Sequence, residues 1–324
     1  MRSPLALGLV AGVALDALFG DPRRGHPVAA FGRAATALES RDYRDSRGRG
    51  ATHTAVCVAA VAVPAALIQH RTRHRPLFQF IATATAAWAV TGARSLRHEA
   101  QRAWVSLSAD DLPAARRVLP SLCGRDPEGL DAKGIARAVI ESVAENTSDA
   151  VIAPLFWGAV AGLPGLAGYR AINTLDAMIG HHSPRYEHFG WAAARLDDAA
   201  NWIPARLTAL LTVACAAVDR GSAADAPAAP GARAWRTMRR DGAHHPSPNA
   251  GRCEAAFAGA LGIRLGGTNV YAGVTEARPE LGDGRLPGAA DIPRATTLSR
   301  NVTLAATLGA ALIAIMKGAV CAGR

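Results

Sequence analysis

Glu141, Glu145 and Asp149 recur at four-residue intervals, so a helix through them stacks three carboxylates on less than half its circumference. The helix itself is well signalled: Asp131 is a good N-cap, and Ile135, Val139 and Val143 form one apolar stripe. Stacked like charges repel, and hard carboxylate oxygens suit Mg²⁺ or a substrate cation as counter-ion. A solvated acidic face paired with arginines explains the spacing equally well. Further pairs stand one helical turn apart: Asn173 with Asp176, Asp198 with Asn201, and Asp197 with Asn201. Each could chelate one ion, or simply hydrogen-bond within its helix. Histidines sit in two stiff turns, His26 after Gly20-Asp21-Pro22 and His245 in His245-Pro246-Ser247-Pro248-Asn249.

The elements that would position these groups are largely apolar. Half of the 324 residues are hydrophobic and 19% are charged, against about a quarter charged in soluble proteins. The net charge of +10 is carried by arginine, because Lys133 and Lys317 are the only lysines. With 5% aromatics and no basic-aromatic stripe, nucleic acid is not an expected partner. Anionic headgroups of a lipid bilayer and phosphorylated substrates suit the charge better. Cys57, Cys123, Cys215, Cys253 and Cys321 lack a C-x-x-C pair and read as free, buried thiols.

Residues 1–20 predict a first transmembrane helix, retained because no A-x-A-like cleavage site follows; Asp16 near its end should face protein or water. An arginine-rich cytoplasmic loop at 21–50 leads to a membrane hairpin over 51–93, with spans at 51–69 and 77–93. A polar catalytic region occupies 94–301, and 302–324 carries a C-terminal transmembrane helix. Within that region 150–169 is uncharged but broken by Pro and Gly, so it reads as re-entrant, buried or spanning, and 207–218 is short for a span. Gly221 to Gly231 reads as a linker, Glu254 to Leu261 as a short Ala-rich helix and Gly266-Gly267 as a glycine turn. The expected fold is all-α: a polytopic membrane protein with four to five transmembrane helices and a mostly helical polar region. The positive-inside tendency puts that region at the cytoplasmic face of the cell membrane, where acids from separate stretches are expected to converge.

Several long runs, in order, resemble the CobD/CbiB family of cobalamin biosynthesis. They are Gly20-Asp21-Pro22, Gly124-Arg125-Asp126, Glu141 to Asp149, Tyr169 to Asp176, Phe189-Gly190-Trp191, Arg195 to Asp198, Asn201 to Arg206 and His245 to Gly251. Pro127 and Arg252-Cys253 depart from the family pattern. The resemblance implies a ligase forming an amide, an adenosylcobinamide-phosphate synthase. It would join aminopropanol or its O-phosphate to the free propionate of adenosylcobyric acid, using ATP and Mg²⁺, beside other corrinoid-pathway enzymes.

A carboxylate is a poor electrophile, so such chemistry needs activation, phosphate neutralisation and an unprotonated amine. No P-loop motif exists here. On this reading Glu141 and Glu145, with His245 or His26 as base, are the catalytic candidates. Arg125, Arg170 and Arg195, with Asn173 and Asn249, would bind nucleotide or substrate. Glu145, Asp149, Asp176, Asp197 and Asp198 would hold metal, Glu141 sharing that acidic face. The rivals are a corrinoid-binding membrane transporter or scaffold without ligase activity, and a phosphotransferase using the same acids.

Overall fold

The computed structural model describes residues 3–21, 25–181, 183–218, 229–271 and 274–322. Helices α1 (Pro4–Phe19), α2 (Pro27–Asp42), α3 (Arg47–Thr72) and α4 (Pro76–Val90) are followed by α5 (Ala93–Ser108), α6 (Leu112–Val118) and α7 (Ala132–Thr147). Next come α8 (Ala153–Ala161), α9 (Leu163–Leu175), α10 (Trp191–Val218), α11 (Pro230–Asp241), α12 (Ala250–Leu261) and α13 (Asp291–Ala322). The fold is that of an all-α membrane protein, with one antiparallel hairpin of β1 (Leu265–Tyr271) and β2 (Val274–Leu281). The expected glycine turn at Gly266-Gly267 is therefore the start of a strand, bulged between Leu265 and Gly267.

Among the described residues three helices are long and apolar enough to cross a membrane: Arg47–Thr72, Trp191–Val218 and Asp291–Ala319. The expected spans 51–69 and 302–320 lie on α3 and α13, whereas those at 1–20 and 77–93 lie on helices of 16 and 15 residues. Segment 207–218 is not a separate short piece; it is the C-terminal part of the 28-residue α10. Its charged residues at 195–198 do not end that helix, and neither does Pro204. A proline here removes the donor to the carbonyl of Ala200. The indole Nε1 of Trp157 supplies a replacement, donating to Ala200 O at 3.0 Å.

The chain divides into two compact units, one of Met1–Gly92, Asp149–Asn201 and Ala306–Arg324, the other of Ala93–Ser148 and Trp202–Ala305. In the first, α1 packs on α4 and α3 on α9. Val56, Val63 and Leu67 of α3 are each at least half exposed, as lipid-facing side chains are. Two polar residues within these helices turn inward: Asp16 is buried, and His53 is buried with Nδ1 3.4 Å from Asp42. The uncharged stretch 150–169 is split at Gly162, whose φ of 72° few side chains tolerate and whose Cβ would meet Gln69. Gln69 Oε1 instead accepts the N–H of Leu163 at 2.8 Å, capping α9.

In the second unit α12 packs on α11 and α7. It is buried on every side, with Cys253 and Ala255 to Ala258 at 0% exposure. The Asp131 cap is present: its Oδ1 accepts Gly134 N–H at 2.7 Å and starts α7. Of the expected linker, 221–228 lie outside the described residues, and Pro230 and Gly231 already belong to α11. Pro22 in the first turn also lies outside them. Four described cysteines are free; Cys57 and Cys253 are buried, but Cys123 and Cys215 are half-buried rather than enclosed.

Candidate active site

The candidate residues form two polar clusters, one within each unit. In the second unit the acidic face of α7 turns inward, because α12 and the hairpin cover it. Glu141 is 5% exposed; its Oε2 accepts from Arg125 Nη2 at 2.6 Å and its Oε1 from the backbone N–H of Gly266 at 2.7 Å. Arg137, one turn earlier, donates to the carbonyls of Gly266 and Thr268 and so straps β1 to α7. Both oxygens of Glu141 are thus held by protein donors, which suits an anchor between the 124–130 loop and the hairpin.

His245 is 7% exposed, and its Nε2 lies 3.9 Å from Glu254 Oε1 and 3.3 Å from Arg278 Nη1. Its Nδ1 lies 3.1 Å from the backbone N and 3.4 Å from the carbonyl of Ser247. A neutral imidazole has one acceptor nitrogen. Arg278 can only donate, so with Nε2 accepting from it Nδ1 carries the proton, and the Nε2 lone pair lies on the side of Arg278 and Glu254. Burial, then the charge of Arg278, lowers the His245 pKa against the opposing effects of Ser247 and Glu141. Burial and the negative charges of Glu141 and Glu145 push the Glu254 carboxyl well above its usual range. Protonation is therefore shared out among neighbours, with Glu254 favoured to hold a proton and His245 favoured to be neutral. Ser247 Oγ accepts the N–H groups of Asn249 and Ala250 at 3.3 and 3.1 Å and opens α12. Asn249, also buried, takes a contact from Arg206 Nη1 at 3.3 Å. Gly251 is required here, since a Cβ would lie 2.2 Å from that of His245.

In the first unit a chain of hydrogen bonds links three helices. Asn201 Nδ2 donates to Asp197 Oδ2 at 2.9 Å, and Asn173 Nδ2 to Asp197 Oδ1 at 3.4 Å. Tyr169, 2% exposed, reaches Asn201 Oδ1 at 2.8 Å and the carbonyl of Asp149 at 3.2 Å. Asp149 stands second in a π-helical turn (Ser148–Ile152), and Asp176 opens another (Asp176–Gly180). Such turns often mark functional positions. The charges of Asp21 and Asp149 act on Arg170, whose Nε is buried without a hydrogen-bond partner.

Over residues 9–299 the sequence matches the CobD/Cbib protein family. The chain belongs to the CobD/CbiB family. It is 54% identical over 311 residues to the cobalamin biosynthesis protein CobD of Mycobacterium tuberculosis (strain CDC 1551 / Oshkosh), covering 96% of this chain and 95% of that protein. Identity to the CobD of Geobacter metallireducens is 45%, covering 86% of this chain and 87% of the relative; for Rhodobacter capsulatus it is 42%, covering 95% and 97%. No solved structure gives a match.

Within this family member the expected site residues fare unequally. Arg125, Glu141 and His245 belong to the buried cluster of the second unit, where the charge of Glu145 reaches Glu254. In the first unit Asn173 bonds Asp197, and Tyr169 reaches the backbone carbonyl of Asp149. His26 acts as the N-cap of α2, Nδ1 accepting from Val28 N–H at 3.2 Å, with Asp21 3.8 Å from Nε2. Arg195 is largely exposed and stands 3.9 Å from Asp198, one turn along α10. Among the described residues no three His, Cys, Asp or Glu side chains form a ready metal cluster. Sequence reasoning passed over Glu254, Tyr169 and Arg278. Glu254 had a signal: it is the one acid in the Ala-rich run from Ala250 to Leu261, and an acid on a helix buried all round has no route to water.

Proposed function

We propose that this protein acts in cobalamin biosynthesis as an amide-forming ligase. It joins aminopropanol or its O-phosphate to the free propionate of (adenosyl)cobyric acid, with ATP and Mg²⁺. The observation that carries this reading is the 54% identity to a protein named for cobalamin biosynthesis over 96% of the chain. The buried His245 cluster supplies chemistry the reaction needs.

An ammonium cannot attack a carboxyl group, so one group must take a proton from the amine. A neutral His245 near pH 7 suits that role through Nε2, and the Ser247 backbone orients its ring. Glu145 adds negative charge to this cluster and so favours a cationic amine before its proton leaves. Arg125 is committed to Glu141, so in this unit phosphate or carboxylate binding falls rather to Arg206 with Asn249. In the other unit we assign Arg170 to an anionic group.

Mg²⁺ is commonly held by one or two carboxylates, with water and phosphate completing its shell. Asp197 fits, because two side-chain amides already fix its carboxylate. Asp149, Asp176 and Asp198 lie in the same unit and are the further candidate ligands. ATP with Mg²⁺ supplies the activation of the carboxylate when bound. The arginine-rich loops and the apolar helices support a multi-pass protein of the cell membrane whose polar region faces the cytoplasm.

Incubating the purified protein with cobyric acid, ATP, Mg²⁺ and an aminopropanol tests the reading, with products separated by chromatography. Formation of cobinamide or its phosphate is the expected result, and Glu145→Gln should abolish it without affecting membrane insertion. Corrinoid binding with no new amide would overturn the ligase in favour of a transporter or scaffold.

A further inference from the structure

Tyr169 is a buried hydroxyl to which the chemistry above gives no part, and it lies wholly within the first unit with the groups it touches. Its ring packs with Ala153 and Ala200, and Trp157 and Ile172 close the cluster. A ring enclosed on these sides holds its hydroxyl in place. That hydroxyl has one proton and two acceptors within reach, Asn201 Oδ1 at 2.8 Å and the backbone carbonyl of Asp149 at 3.2 Å. The shorter contact takes the proton.

What the hydroxyl holds is an amide. Asn201 is buried, its Oδ1 accepting from Tyr169 while its Nδ2 donates to Asp197 Oδ2 at 2.9 Å. The two ends of a carboxamide differ, so a donor at the oxygen leaves the NH₂ end for the carboxylate. The main chain is fixed at the same place, because Trp157 Nε1 bonds the carbonyl of Ala200. Donation thus runs in one direction, from Tyr169 to Asn201 to Asp197, and ends on a negative oxygen. Asn173 Nδ2 reaches the other oxygen of Asp197 at the longer distance of 3.4 Å, so the Asn201 side does most of the orienting. Each carboxylate oxygen has two lone pairs, and one on each is left for a cation.

We propose that Tyr169 is a positioning residue which, through Asn201, sets the direction in which Asp197 presents its remaining lone pairs to a divalent cation. The proposal rests on the assignment of Mg²⁺ to Asp197 made above and adds the group that makes that carboxylate a fixed ligand. Without the hydroxyl, Asn201 Oδ1 is left buried with no donor from Tyr169, and the amide turns to satisfy it at the expense of its bond to Asp197. Partners that orient a metal ligand are worth about 10–100-fold in metal affinity.

The test titrates the full-length protein in neutral detergent with Mn²⁺ alone, a paramagnetic substitute for Mg²⁺, and reads bound metal from the loss of the free-ion electron paramagnetic resonance signal. Tyr169→Phe keeps the ring and its packing and removes one oxygen. It should weaken Mn²⁺ binding by about tenfold, the lower end of that range, with helix content unchanged. Asn201→Leu should weaken binding by a similar factor, and Tyr169→Phe added to Asn201→Leu should cost nothing more, because the hydroxyl acts through the amide. Should one of these two single variants not fold, the other decides, since each breaks the same chain. Weaker binding in Asp197→Asn together with parental binding in Tyr169→Phe or Asn201→Leu overturns the positioning role and leaves the metal assignment standing. Losses that add in the double variant overturn action through Asn201. Parental binding in Asp197→Asn, or an unmodified protein that takes up no Mn²⁺, overturns the metal assignment and the positioning role with it.

Discussion

Nε2 of His245 stands 3.9 Å from Glu254 Oε1, with both side chains at or below 5% exposure. A buried imidazole and a buried carboxyl that close share one pool of protons, and the surrounding charges decide who holds them. Arg278 and burial disfavour imidazolium, while Glu141 and Glu145 disfavour the Glu254 carboxylate.

Replacing Arg278 should therefore move the pH profile in a known direction. The His245 pKa lies below its ordinary value partly because of the Arg278 charge, so the acid limb of kcat/KM should fall below the usual imidazole range. Arg278→Gln removes a cation, the pKa rises, and the acid limb moves to higher pH. Rate measurements from about pH 5 to 8 check the shift around the unperturbed imidazole value. His245→Gln should lower kcat by about 10²–10⁴-fold, the usual contribution of a positioned general base.

Gly251→Ala provides an independent test of the same geometry. The added methyl would lie 2.2 Å from His245 Cβ, and the ring must be displaced to admit it. A displacement of about 1 Å can cost 10²-fold in rate. The expected outcome is loss of turnover with helix content, read by circular dichroism, unchanged.

The Arg125–Glu141 pair should be structural in its effect. Its side chains are 4% and 7% exposed, and breaking a buried pair leaves an uncompensated charge that costs about 3–5 kcal/mol. Glu141→Ala should lower the thermal midpoint strongly. Arg125→Met combined with Glu141→Leu should recover part of the loss, because Arg125 no longer stays behind as a buried lone charge, while Arg137 still loses its Glu141 neighbour at 3.9 Å.

Asp241 should dominate one part of the acid sensitivity. Its carboxylate accepts from Arg240 at 2.6 and 2.8 Å and from Gly282 N–H at 2.8 Å, and the Arg240 bonds hold its pKa below the usual value. A depressed folded-state pKa gives stability that is present above about pH 4, the unfolded value, and lost as pH falls through the folded one. Asp241→Asn should destabilise the protein at pH 7, and the difference from the parent should vanish under strongly acid conditions. Denaturation midpoints across pH measure it.

Asp197→Asn tests the metal assignment. An amide at 197 can still accept from Asn201, so the fold should persist while turnover falls at least about 10²-fold, the scale seen when a positioned charge is lost. The Mg²⁺ concentration giving half-maximal activity should rise. An unchanged Mg²⁺ dependence would remove Asp197 from the ligand set.

Local chemistry made much of this protein legible from sequence. The i, i+4 stripe and the Asp131 cap fix α7 by backbone physics alone, and charge-free runs of sufficient length mark α3 and α13. Family membership is likewise written in ordered short motifs. Tertiary structure decided what depends on neighbours distant in sequence. Trp157 donates to the carbonyl that Pro204 leaves open, so α10 continues for 28 residues where composition suggested a short segment. Glycine-rich 266–267 became a strand because Arg137 and Glu141 bind its backbone. The same folding separated acids that look alike in sequence: Glu141 is tied down by protein donors, Glu254 is enclosed beside His245, and Arg195 with Asp198 remains at the surface. Spacing along a helix gives a residue's direction from its own axis; which partner lies in that direction is set by packing, and packing sets burial, charge and protonation.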